Sequence, residues 1–392
     1  MPNPVDSEPR QTGPIALAPD AEPLPSPTST PAPTPLRRFQ AFQRRVAYSA
    51  LVALVIVSLV LVERPPHLGR GDDELARDER LDRYWTPTNA GVQHCAEWTW
   101  QDDGTATAAF ALPAVDFDLL FLLSRAPVHG RVHVVQDKDA RAPFTVNVSA
   151  SHEDPDKVAQ LKACQVHHEE HDEQGVLFWS PSAGNAEYDS DVWVDITLSV
   201  PIIRAGPDRE EYGDLSTQLP RFEHAVGDVM SGSIFRTARL RTRDADIDVA
   251  SIAAETALIE SMGGAIRGLF LSGALDIRTS NAVIDVSAML VGWKWLNETR
   301  ADLWTSNAAL DAQIALVSDF PDKHLNARLH TSNAALTLRA RLMTDSNNST
   351  LRIDAETTNA PASASLPPTA GFEGRCELQK RGSEIECRPG CL

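Results

Sequence analysis

Residues 275–286 read LDIRTSNAVIDV, and the phrase Thr-Ser-Asn-Ala at their centre returns at a fixed interval. Its copies lie at 279–282, 305–308, 331–334 and 357–360, the last with Thr in place of Ser. The copies are 26 residues apart, and each contains one asparagine: Asn281, Asn307, Asn333 and Asn359. A fixed period of this length is typical of stacked units, each of which buries an apolar face on its neighbour. In register, the asparagines would form a ladder of side-chain amides.

The residues on both sides of the phrase predict β-strands. Leu275 and Ile277 alternate with polar residues before it, and Ile284 and Val286 do so after it. Alternation with period two indicates a strand with one buried face, and Ser-Asn between two such runs is typical of a turn. Weaker copies at 240–249 and 257–266 indicate a basic unit of 18–19 residues, which loops lengthen to 26. The sequence therefore predicts an all-β chain with a β-solenoid over 215–370.

Residues 85–214 form a second β-rich region. Its candidate strands are 105–112, 115–124, 128–136, 143–150, 174–180 and 191–200. Alternating stretches such as Phe144-Thr145-Val146 support these strands. Two interpretations stay open: a separate β-sandwich module, or the opening coils of the same solenoid. Tryptophans of this region are predicted to be core residues, with a sugar-stacking platform as the alternative.

The repeats carry a resemblance to a known family. The stretches LPRFEHAVGDV (219–229), LRTRDADIDV (240–249) and LDIRTSNAVIDV resemble the putative-adhesin β-solenoid family, and more narrowly fungal single-pass membrane proteins with such a domain. The resemblance covers 215–370 well and 85–214 loosely. It departs at Arg243-Asp244 and at Met262, where a Ser-Asn-Gly turn is expected. The resemblance implies an adhesin-like β-solenoid and transfers no catalytic residue.

A membrane anchor is predicted near the N-terminus. Residues 46–62 read VAYSALVALVIVSLVLV, an uncharged run long enough for a transmembrane helix. Four arginines precede it within 37–45, so the positive-inside rule places the N-terminus in the cytoplasm and the rest outside the cell or in a lumen. Residues 1–45 are then a disordered, Pro-rich cytoplasmic tail and 63–84 a charged juxtamembrane stalk.

Cysteines and glycosylation patterns agree with this topology, because all lie after the apolar run. The candidate disulfide cysteines are Cys95, Cys164, Cys376 and Cys387. Cys95 is expected to pair with Cys164, and Cys376 with Cys387 across a C-terminal cap hairpin within 371–392; Cys391 is left odd, and it is the alternative partner for either hairpin cysteine. The candidate N-glycosylation sites are Asn147, Asn297, Asn347 and Asn348.

The net charge of −18 argues against a nucleic-acid partner, which requires clustered positive charge. Residues 167–173 read HHEEHDE, but their spacing fits no zinc-protease pattern, and a solvated loop is favoured over a weak metal or pH-sensing site.

Asp276, Asp302 and Asp354 recur at one place in their repeats, and Asp285 and Asp311 at another. Paired carboxylates suit a glycosidase or Ca²⁺, yet these are predicted to lie on an open, solvated face.

The sequence therefore predicts no enzyme, cofactor or metal. It predicts a membrane-anchored, adhesin-like or scaffold protein whose β-solenoid ectodomain binds a protein or glycan. Two alternatives remain, a carbohydrate-active enzyme on a β-solenoid and a luminal endomembrane assembly factor.

Overall fold

The computed structural model describes residues 91–114, 117–138, 143–168, 172–180, 192–202, 213–292, 298–318, 324–344, 350–366, 377–380 and 385–389. All of them belong to one of the two units of the chain, Val57–Leu392. The predicted tail, transmembrane segment and stalk lie outside the described residues. Among the residues that are described, no helix has both the length and the apolar character needed to cross a bilayer.

The N-terminal part of the described chain contains nine strands and one helix. They are β1 (Val92–Cys95), β2 (Thr99–Trp100), β3 (Ala106–Leu112), β4 (Leu119–Ser124), β5 (His129–Gln136), β6 (Phe144–Ser151), α1 (Pro155–Gln160), β7 (Lys162–His168), β8 (Glu173–Trp179) and β9 (Trp193–Val200). The six strands predicted here correspond to β3, β4, β5, β6, β8 and β9, whereas β1, β2, β7 and α1 were not predicted. Asp154 caps α1 by accepting a hydrogen bond from the Asp156 amide.

Fourteen strands follow among the described residues. They are β10 (Asp214–Gln218), β11 (Phe222–Asp228), β12 (Phe235–Thr242), β13 (Ile247–Ser261), β14 (Ile266–Thr279), β15 (Ile284–Val291), β16 (Glu298–Thr305), β17 (Leu310–Ser318), β18 (His324–Thr331), β19 (Leu336–Thr344), β20 (Thr350–Thr357), β21 (Ala362–Leu366), β22 (Glu377–Lys380) and β23 (Ile385–Pro389). The chain is therefore all-β, as the alternation predicted.

The strands align in two columns of parallel neighbours. The first column runs β8, β4, β10, β12, the second half of β13, the second half of β14, β16, β18, β20 and β22. The second column runs β9, β5, β11, the first half of β13, the first half of β14, β15, β17, β19, β21 and β23. We call one first-column strand with its second-column partner a rung.

The register of these pairs gives the length of each repeat directly. Ile247 lies beside Ile266, an offset of 19 residues, and Ile266 lies beside Ile284, an offset of 18. Ile284 then lies beside Leu310, an offset of 26. The short unit and the long unit predicted from the sequence are both present as register offsets. A parallel register of this kind keeps each repeat position in line along the column.

Alternation also explains where the core lies. Leu275, Ile277, Ile284 and Val286 are at most 2% exposed and belong to one apolar cluster that extends through both columns. Full burial of such a side chain stabilises the fold by about 1.5–3 kcal/mol. The intervening polar residues point away from this cluster, and they form the outer surfaces of the columns.

Antiparallel strands continue the columns at the N-terminal end. β6 pairs with β9 and β3 at the end of the second column, and β7 pairs with β8 and β1 at the end of the first. β4 and β5 pair with β10 and β11, so strands from the 85–214 region stack in the same two columns as the repeats. The domain boundary placed between 214 and 215 stays a prediction.

The structure corrects the prediction of a C-terminal cap hairpin. β22 pairs in parallel with β20, and β23 pairs in parallel with β21, so the two strands extend the columns as a further rung. The physical reason is the spacing: four residues separate β22 from β23, as four separate β14 from β15 at a corner between columns. Cys376 and Cys391 lie outside the described residues, so the Cys376–Cys387 bridge stays a prediction.

Candidate functional site

The repeated asparagines lie at the exposed corner between the two columns. The Asn307 Nδ2 donates to the Asn281 Oδ1 at 2.8 Å, and the Asn333 Nδ2 donates to the Asn307 Oδ1 at 2.7 Å. The Asn359 Nδ2 donates in turn to the Asn333 Oδ1 at 2.7 Å. Each inner amide therefore donates once and accepts once. This mutual bonding uses much of the capacity that the ladder could offer to a ligand.

A second ladder of hydroxyl groups lies beneath the asparagines. The buried Thr305 hydroxyl donates to the Ala282 carbonyl at 3.1 Å, one corner earlier. Thr331 and Thr357 repeat this bond to the corners before them. These bonds satisfy polar groups that would otherwise be buried without partners. The threonine of the phrase is thus a structural residue.

The corners at 242–245 and 261–264 lack the Thr-Ser-Asn-Ala phrase but are joined by similar hydrogen bonds. The Met262 amide donates to the Arg243 carbonyl at 3.0 Å, and the Ser261 hydroxyl donates to the Ala245 carbonyl at 3.0 Å. Gly264 is so close to Ala245 that a Cβ atom would lie 1.7 Å from its carbonyl oxygen. Only glycine fits there, so glycine stands at the position that alanine holds in the later copies of the phrase.

The outward side chains of the first column form a polar surface, which we call the outer wall. It includes, rung by rung, Asp276 and Arg278; Arg300, Asp302 and Trp304; Asn326, Arg328 and His330; and Arg352, Asp354 and Glu356. Each set lies beside the next in register, so every outward position is repeated along the column. The wall has equal numbers of arginines and carboxylates, although the whole chain has a net charge of −18.

Most of the carboxylates on the wall are held by an arginine of their own strand. The Arg278 Nε and Nη2 donate to the two oxygens of Asp276 at 2.8 and 2.7 Å. The Arg352 Nε donates to both oxygens of Asp354, at 3.2 and 3.0 Å. The two-nitrogen pair of Arg278 with Asp276 is bidentate, which fixes its geometry.

The predicted carboxylate column has the expected register but an unfavourable chemistry for catalysis. Asp276 lies beside Asp302, and Asp302 beside Arg328. Burial raises the pKa of Asp302, the arginines Arg300 and Arg328 lower it, and Asp276 raises it; the net shift is upward. Because Arg278 binds both oxygens of Asp276, that carboxylate is not free to act as nucleophile or base.

The other predicted pair, Asp285 and Asp311, lies on the second column, with the two residues side by side. Burial raises the pKa of Asp311; Arg339 lowers it, and Asp285 raises it further. Among the described residues, no group of three or more histidines, cysteines or acidic residues is arranged to hold a metal ion. Of the histidine-rich segment 167–173, His167 and His168 lie on β7, and 169–171 lie outside the described residues.

Trp304 is the feature of the outer wall that the sequence interpretation missed. Its side chain is 40% exposed, and its indole ring stacks on the His330 ring with centroids 6.2 Å apart and planes 7° from parallel. The His330 Nδ1 lies 3.5 Å from a Glu356 oxygen. Its position in the repeat could have revealed it, because Trp304 stands where the preceding repeat has Arg278.

A buried histidine was also missed by the sequence interpretation. His224 is fully buried; its Nε2 is 2.9 Å from the Thr217 hydroxyl and its Nδ1 is 3.0 Å from the Phe222 carbonyl. Burial lowers the pKa of His224 to about 4, although the bond to Phe222 opposes this shift. The imidazole is therefore neutral at physiological pH, which is what an apolar core requires.

Arg236 joins three layers of the first column. Its Nε donates to Asp214 at 2.8 Å, and its Nη1 donates to Asp118 at 3.3 Å. Burial works against the charge of Arg236, but the bonds and charges of the two aspartates outweigh it, and the pKa of Arg236 is raised. These residues are separated by up to 118 positions in sequence, so no local pattern indicates the contact.

Cys95 and Cys164 form the expected disulfide, which joins β1 and β7 directly across their antiparallel pair. Asn147 is exposed on β6, so its side chain is accessible. The other candidate glycosylation sites, Asn297, Asn347 and Asn348, lie outside the described residues.

No family model and no curated protein matches this chain. Among solved structures, a putative adhesin from Parabacteroides merdae is 7% identical with a TM-score of 0.29, covering 74% of this chain and 99% of that protein. A putative adhesin from Bacteroides fragilis is 10% identical with a TM-score of 0.31, covering 73% and 98%. A putative lipid binding protein from Parabacteroides distasonis is 11% identical with a TM-score of 0.26, covering 74% and 99%. Similarity at this level assigns no ligand to this chain.

Proposed function

We propose that this chain is a non-enzymatic, membrane-anchored β-solenoid protein of the adhesin or scaffold type, which binds a protein or glycan through its ectodomain. The observation that carries the proposal is the in-register stack of rungs, which repeats each outward position of the first column along a continuous wall. A repeated surface of this kind suits an extended partner better than a small substrate in a pocket.

The proposed topology has the N-terminus in the cytoplasm, one transmembrane helix at 46–62, and the remaining chain outside the cell or in a lumen. The uncharged run and the arginines before it support this orientation. The disulfide between Cys95 and Cys164 agrees with an oxidising compartment for the chain that follows the apolar run.

Binding is tested with full-length protein displayed on cells. We expect such cells to adhere to a partner surface, whether cells or immobilised glycans, more than cells without the protein. Adhesion that is unchanged by the protein would refute the binding role. The enzymatic alternative is tested by turnover: a glycosidase hydrolyses a polysaccharide substrate and loses this activity in Asp276→Asn/Asp302→Asn, whereas a scaffold hydrolyses nothing in either form.

Location is tested with a C-terminal epitope on intact cells, together with glycosidase digestion. Labelling without permeabilisation supports a cell-surface adhesin. Labelling only after permeabilisation, with a glycan-dependent mobility shift, instead supports the luminal assembly factor.

A further inference from the structure

Trp304 occupies an unusual place on the outer wall. It is a large aromatic residue that is 40% exposed, whereas its outward neighbours on the adjacent strands are charged or polar. Within the described residues, the indole N–H donates no hydrogen bond. An exposed indole with a free donor combines an apolar face with a polar edge, and tryptophan with this combination is common at binding surfaces.

The ring is held on one face only. His330 stacks on that face with nearly parallel planes. On the other side the in-register neighbour is Arg278, but its guanidinium is turned along its own strand to bind both oxygens of Asp276. Within the described part of the chain, the second face of the indole therefore has no ring or guanidinium partner. The contact with His330 orients the ring, which limits the conformational entropy that the side chain loses on binding, while its other face stays open to a ligand.

Planar polar groups lie on the strand of Trp304 and on the strands on both sides of it. The Asp276–Arg278 pair lies on the preceding rung, and Asp302 lies two residues before Trp304 on the same strand. Arg328 lies beside Asp302 and makes no ion pair within the described residues, so its donors remain available. Carboxylate and guanidinium groups bind pairs of neighbouring hydroxyls, and an indole face packs on the C–H face of a pyranose ring.

Charge and spacing define the ligand further. Arg328 lies in register between Asp302 and Asp354, so its charge is compensated and the wall offers no net cationic site. Neighbouring strands are about 4.8 Å apart, comparable with one sugar unit in an extended chain. Resting on the proposed binding function, we propose that Trp304, with Arg328 and the Asp276–Arg278 pair, is the central subsite for a neutral, extended oligosaccharide on the outer wall.

The test uses full-length protein in detergent micelles and fluorescently labelled hexasaccharides: cello-, laminari-, N-acetylchito- and manno-hexaose as neutral probes, and a hexauronate as the charged comparison. Anisotropy gives the affinity. We expect at least one neutral probe to bind and Trp304→Ala to weaken it by about tenfold or more, as loss of a central aromatic contact does. His330→Ala should weaken binding less, because it removes only the support of the ring.

Trp193→Ala is the matched control, since Trp193 is 38% exposed on the other column, and it should leave affinity unchanged. Thermal unfolding verifies that each variant is folded. Equal loss in both tryptophan variants, no loss in Trp304→Ala, or binding of the hexauronate alone would overturn the subsite. If no hexasaccharide binds while cells displaying the protein still adhere, this inference fails and the proposed function stands. If cells that display the native protein do not adhere, both the proposed function and this inference fail.

Discussion

His224 makes the stability of the fold depend on pH through a single buried ring. Its pKa is about 4 in the folded chain against 6.5 ordinarily. Above pH 6.5 the imidazole is neutral in both states and the fold incurs no penalty. As pH falls from 6.5 to 4, the unfolded chain takes up a proton that the folded chain refuses, so stability falls by roughly 3 kcal/mol.

The variant His224→Gln tests this effect, because glutamine keeps a hydrogen-bonding side chain but does not titrate. Thermal unfolding of both proteins at pH 7.5 and 4.5 gives the comparison, and the native protein should lose more stability on acidification than the variant. The difference between the two proteins is the relevant quantity, since Asp302 and Asp311 have raised pKa values and act in the opposite direction. Identical acid sensitivity would contradict the account.

At the scale of the element, the corner ladder makes a graded prediction. Asn307 both donates to Asn281 and accepts from Asn333, whereas Asn281 only accepts within the ladder. Replacing Asn307 by Ala should destabilise the fold by about 1–2 kcal/mol, and Asn281→Ala by about half as much, because each bond contributes about 0.5–1.5 kcal/mol. Denaturant unfolding measures both. Equal effects would indicate that the amides bond to water instead of to each other.

The disulfide between Cys95 and Cys164 joins β1 to β7 across their antiparallel pair. The bridge closes a loop with a sequence separation of 69 residues. In the chain-entropy model, its loss in Cys95→Ser/Cys164→Ser should lower stability by roughly 4 kcal/mol. Hydrogen exchange should show the greatest increase in amide exchange rate at β1 and β7 of the variant. A uniform increase across all rungs would instead mean that the bridge stabilises no particular pair of strands.

Local pattern predicted most elements and failed where the determinants were distant. Alternation around Leu275 and Ile284 is a property of the strand itself, so the sequence alone indicated both the strands and their offsets. The contact of Arg236 with Asp118 depends on how layers stack, and nothing near either residue indicates it. Trp304 was missed because it interrupts the repeat, and the interruption became informative only once its in-register neighbours were known.

At the scale of the whole molecule, the C-terminal strands show the limits of pattern. Two short alternating runs with a turn between them fit an antiparallel hairpin and a corner of the stack equally well. The difference depends on the neighbours: β20 and β21 already present edges at which β22 and β23 pair in parallel. A stack of rungs therefore favours its own continuation over a local hairpin.

The central claim is that successive 26-residue repeats lie side by side in parallel register, and paired cysteines test it most directly. In Asp285→Cys/Asp311→Cys the two positions are register partners. Their Cα atoms should be about 5 Å apart, within the reach of a disulfide. In Asp285→Cys/Thr337→Cys the positions are two rungs apart, roughly 10 Å, and beyond that reach. Mass spectrometry of the oxidised, digested full-length protein should find the first cross-link and not the second; absence of the first, or equal yields of both, would contradict the stacked register.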